Sequence, residues 1–122
     1  MTRLGIVDAI SALHPTAQFT TNNGKIGEWH SPEITQPTEE EIVQKVAELE
    51  YQEEINEYQR QRAAEYPSYA DQFDQIFHDG IDAWKATILE VKRRYPKQVM
   101  QPEVLEERKR QALADLEASR EE

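Results

Sequence analysis

The chain has 122 residues, 38% hydrophobic and 31% charged, with 24 acidic against 14 basic side chains and a formal net charge of −10. That is the length of one small domain with a modest core, and a field of that sign repels nucleic-acid phosphates, which argues against direct DNA or RNA binding. There is no cysteine, which excludes disulfides, thiolate metal sites and a cysteine nucleophile.

Residues 4–13, LGIVDAISAL, place Ile6, Ile10 and Leu13 at i, i+4 and i+7, the apolar edge of a short helix. His14-Pro15 ends it, because the residue before a proline is pushed out of the helical region. Residues 17–30 form two short β-like runs on either side of Asn23-Gly24. Asn-Gly supplies positive φ at both central positions of a type I′ turn, so a β-hairpin is expected here. A lone hairpin is only marginally stable and must pack on a helix or gain strands from another chain. Residues 31–37, SPEITQP, read as a linker.

Thr38-Glu39-Glu40-Glu41 is a capping box that opens a helix running to about Glu65. Its apolar line is narrow (Ile42, Val43, Val46, Leu49, Tyr51, Ile55, Tyr58) and coiled-coil-like. Tyr66-Pro67 stops it, and Ser68 caps the next helix with Asp71 at N3. From there Tyr69, Phe73, Ile76, Phe77, Ile81, Trp84, Ile88, Val91 and Tyr95 recur at helical spacing. Gly80 interrupts the pattern, since glycine is disfavoured in a helix interior and favoured just past a helix end. A helix over 68–79, a tight turn or kink at Gly80 and a second helix over 81–94 are therefore expected. Pro102 suits the first position of a last helix, about 102–120, whose few apolar residues read as a partner-dependent coiled coil or a solvated tail. The expected fold class is mainly α (α+β), with a helix and hairpin module over 1–37, a helical module over 38–97 and a helical extension over 98–122.

Catalytic signals are weak. None of HExxH, GxSxG, GxxxxGK[ST] or GxGxxG occurs, and four glycines leave little material for a phosphate loop. Asp74, His78 and Asp82 stand at i, i+4 and i+8 and on an unbroken helix would share a face able to take Zn²⁺ or Mn²⁺. Gly80 is expected to break that geometry. Paired carboxylates such as Glu39–Glu41, Glu53–Glu54 and Glu106–Glu107 lie at surface-type positions, and nothing in the pattern suggests the burial that acid–base work needs. The expectation is a non-enzyme without metal or cofactor. No basic n-region with an apolar run opens the chain, and no apolar stretch is long enough to span a bilayer. The aromatics carry more. Trp29, Tyr69, Phe73, Phe77 and Trp84 are the expected partner-binding residues, since such side chains are enriched at interfaces. The plainer reading of Phe73, Ile81, Trp84 and Ile88 is a core. In a chain this polar the two readings merge into the core of an assembly, with a homo-oligomer as one form of it.

The stretch EYQRQRAAEYPSYADQFDQIFHDGIDAWK from Glu57 to Lys85, followed by VKRRYPK from Val91 to Lys97, resembles short proteins encoded in bacteriophage tail regions, nearest the XkdW-like family. The resemblance is most specific over residues 62–97, and residues 98–122 lie beyond it. It implies a tail-fibre assembly chaperone or fibre-associated accessory protein, with a tail-fibre or baseplate protein as partner. It places the protein in the host cytoplasm during assembly or in the virion tail. A permanent structural piece of the tail is the alternative, and an acidic inhibitor of a host nucleic-acid enzyme is a third reading drawn from the charge.

Overall fold

The elements run α1 (Ile6–Leu13), β1 (Phe19–Asn22), β2 (Lys25–Trp29), α2 (Glu39–Glu65), α3 (Tyr69–Asp79), α4 (Ile81–Arg94) and α5 (Pro102–Arg120) in the computed structural model, which describes residues 4–121. The fold is mainly α with one small antiparallel sheet, as expected. No helix among the described residues is long and apolar enough to cross a membrane. Two compact units emerge. One joins the chain up to Glu53 with Met100 onward, and the other is Glu54–Val99. Helix α2 supplies its first half to one and its second half to the other.

In the first unit, α1 starts at Gly5, whose N–H donates to the Asp8 carboxylate at 2.8 Å. Ala9 and Ile10 of α1 and Ile42 of α2 are buried together, with Ile6, Ala17, Phe19, Ile26, Trp29 and Val46 packed around them. The hairpin thus covers α1 and α2 and is not left alone. Asn23 (φ 54°) and Gly24 (φ 76°) make the expected turn. The ladder pairs Thr21 with Ile26 and Phe19 with Trp29, so Thr20 faces both Gly27 and Glu28, a β-bulge. The Thr20 hydroxyl accepts from the Glu28 N–H at 2.9 Å. A Cβ at Gly27 would lie 2.9 Å from that hydroxyl, so any side chain there must displace it.

The capping box forms: Glu41 N–H donates to Thr38 Oγ1 at 3.1 Å and Thr38 N–H to the Glu41 carboxylate at 3.3 Å. The last helix is docked, which departs from the solvated tail allowed by its composition. The Gln101 N–H donates to the Tyr51 hydroxyl at 3.0 Å. Arg108 stacks over the Tyr51 ring, Lys109 faces Glu48, and Arg120 bridges Glu39 and Glu40. These contacts set α5 antiparallel to α2, and Leu105, Ala112, Leu113 and Leu116 are partly covered on it, with Leu116 beside Ile42 and Val43.

In the second unit, Ile55 and Tyr58 of α2 and Val91 of α4 are buried. Arg62 donates to the carbonyl of Tyr95 at 2.8 Å and lies over the Tyr58 ring, satisfying a carbonyl left free at the end of α4.

Candidate functional site

Helix α3 is capped as its sequence predicts, with the Asp71 N–H donating to the Ser68 hydroxyl at 3.1 Å. It ends at Gly80, whose φ of 91° and ψ of 167° lie in a region open essentially to glycine alone. Helix α4 begins at the next residue. The chain reverses there: Pro67, just before α3, shares a cleft with Thr87 and Val91 of α4.

The seam between the two helices is polar. The Trp84 indole N–H donates to the Gln72 side-chain oxygen at 3.0 Å. Gln75 donates to the Thr87 hydroxyl at 2.8 Å and to the Ala83 carbonyl at 3.4 Å. This seam fixes the rotation of α3. Gln72, Gln75 and Ile76 turn towards α4 and are partly covered, so the neighbouring face at Tyr69, Phe73 and Phe77 turns away. These three aromatics are 81%, 69% and 84% exposed. The Phe77 ring meets the His78 ring edge to face at 5.0 Å. Ile81 and Leu89 of α4 are also exposed, at 52% and 56%.

The structure therefore separates the five expected binding residues. Tyr69, Phe73 and Phe77 form one exposed stripe at i, i+4 and i+8. Trp84 sits in the seam. Trp29 lies in the other unit, stacked on Phe19 with ring centroids 5.9 Å apart. Its indole N–H is shared between the carbonyls of Ser31 and Ile34, at 2.8 and 2.9 Å. It thereby anchors the linker, where the buried Ser31 hydroxyl accepts from the Gln18 N–H at 2.8 Å. The core reading of Phe73 and Ile81 is corrected: both are exposed, because the single apolar pattern contains two adjacent faces and Ile76, Trp84, Ile88, Val91 and Tyr95 are the ones at least partly covered. Asp74 and His78 belong to α3 and Asp82 to α4, so the i, i+8 face does not exist. Among the described residues no group of three His, Asp or Glu side chains is placed to hold a metal ion.

Gln72 and Gln75 orient the stripe, although as polar residues they stand outside the apolar pattern. Their signal was the twelve-residue spacing from Gln72 to Trp84 and from Gln75 to Thr87. No family model, curated protein or solved structure matches the chain.

Proposed function

We propose that this protein is a non-catalytic binding module whose α3 stripe covers apolar surface on another protein, and that its partner is a phage tail-fibre protein during assembly. One observation carries the binding role. Three large aromatic side chains stand exposed in a row on a helix whose polar seam already satisfies its other side. Monomeric domains rarely leave such a contiguous patch open, and rigid aromatics are the usual anchors of protein interfaces. The fibre as partner rests on the resemblance over residues 62–97, a block that contains the whole stripe.

The mechanism is transient shielding. The stripe fills apolar grooves of an unassembled fibre chain, while the acidic remainder keeps the complex in solution. Co-expression with the neighbouring tail-fibre protein tests it. Phe77→Ser should lower the soluble yield of the fibre chain and its co-purification, because Phe77 is 84% exposed and its loss leaves the fold intact. Unchanged yield and co-purification would contradict the proposal.

A further inference from the structure

We infer that, before a client binds, the α3–α4 face is covered by a second copy of this chain, with each α3 packed against the other copy's α4 across a two-fold axis. This rests on reading the aromatic stripe as a binding surface, and it names the first occupant of that surface.

The geometry provides a self-complementary face. On α4, Ile81, Lys85, Leu89 and Lys92 recur at helical spacing and all are exposed. Both exposed stripes are displaced from the seam in the same rotational sense along their helices. The helices run in opposite directions, so the two stripes lie on one side of the pair. Two such pairs brought together through that side make a four-helix arrangement.

The area is sufficient. A buried aromatic side chain removes roughly 150–250 Å² from water, so the three exposed rings offer on the order of 350–600 Å² per copy. With Ile81 and Leu89, two copies bury about 1,200 Å², the lower edge of stable interfaces.

Charge selects a second copy and sets its orientation. The net charge of the chain is not spread evenly. Residues 54–99 hold eight acidic and seven basic side chains, whereas the rest of the chain holds sixteen and seven. Two copies that meet at residues 54–99 therefore meet through a nearly neutral unit. Within it, α3 carries Asp71, Asp74 and Asp79 and no Lys or Arg. On α4, Lys85 and Lys92 stand on the exposed stripe itself, whereas Arg93 and Arg94 pair with Glu90 and Glu65 of their own chain. Asp74 borders the α3 stripe, so placing α3 over the other copy's α4 sets Asp74 near Lys85, whereas α3 over α3 sets Asp74 near its counterpart.

Sedimentation of the full chain at micromolar concentrations tests this, with circular dichroism as the check on folding. The wild type should sediment as a dimer. Phe73→Asp combined with Phe77→Asp should give a monomer of unchanged helicity. Asp74→Lys and Lys85→Asp should each weaken association about tenfold, and the two together should restore it. A wild-type monomer, or a dimer indifferent to the paired Phe substitutions, overturns the inference. If those substitutions unfold the chain, the charge reversals decide, and absence of rescue overturns the pairing. A monomer that still keeps the fibre protein soluble overturns this inference alone and leaves the proposed function standing.

Discussion

Two glycines stand where a side chain carries a cost, for different reasons. Gly80 holds φ 91° and ψ 167° between two helices. Gly80→Ala should lower stability by roughly 1–3 kcal/mol, the cost of forcing a side chain into that region. Thermal unfolding checks it, and a change near zero would mean that the α3–α4 joint relaxes freely. Gly27 has an ordinary backbone but lies against the Thr20 hydroxyl. Gly27→Ala should push that hydroxyl off the Glu28 N–H and cost about 1 kcal/mol, the value of one hydrogen bond. The two sites differ in legibility. Gly80 stands out in the sequence because it breaks a strong helical pattern. Gly27 does not, since its constraint arises from a bulge whose register depends on strand pairing.

At the scale of elements, local chemistry announced most boundaries. Thr38-Glu41, Ser68-Asp71, Asn23-Gly24 and Pro102 each act through their own backbone neighbours, so they are readable without tertiary knowledge. The packing partner of α5 was not readable, because its few apolar residues name no partner and the polar contacts to Tyr51, Glu48 and Glu39 join groups far apart in sequence. That attachment should depend on pH. The Glu40 carboxyl is held below the ordinary glutamate range, first by its backbone hydrogen bond at the start of α2 and then by Arg120. A lowered folded-state pKa contributes stability above the unfolded value, and that stability is lost as pH falls through the folded one. Both side chains are exposed, so the effect is small and screened by salt. The protection of amides over residues 116–121, relative to their intrinsic exchange rate at each pH, should therefore fall on acidification below the ordinary glutamate range. Arg120→Ala should remove that part of the pH dependence; an unchanged profile would contradict the tie.

At the scale of the whole molecule, the candidate site was half legible. The spacing from Tyr69 to Tyr95 shows that this stretch is built for packing. It does not show that the pattern holds two faces, one turned into the seam and one turned out. That division depends on Gln72 and Gln75 bonding to Trp84 and Thr87, and polar residues carry no signal in an apolar count. Trp29 illustrates the converse. Its size and its place beside a linker suit a partner contact, but its indole is engaged by two carbonyls of its own chain. The expected contact residues therefore narrow to Tyr69, Phe73 and Phe77. The direct measurement is the soluble fraction of a tail-fibre protein co-expressed with the Phe73→Ser, Phe77→Ser double variant, relative to wild type. The account predicts loss of both solubility and co-purification while the variant itself stays folded; a folded variant that keeps the fibre soluble would contradict it.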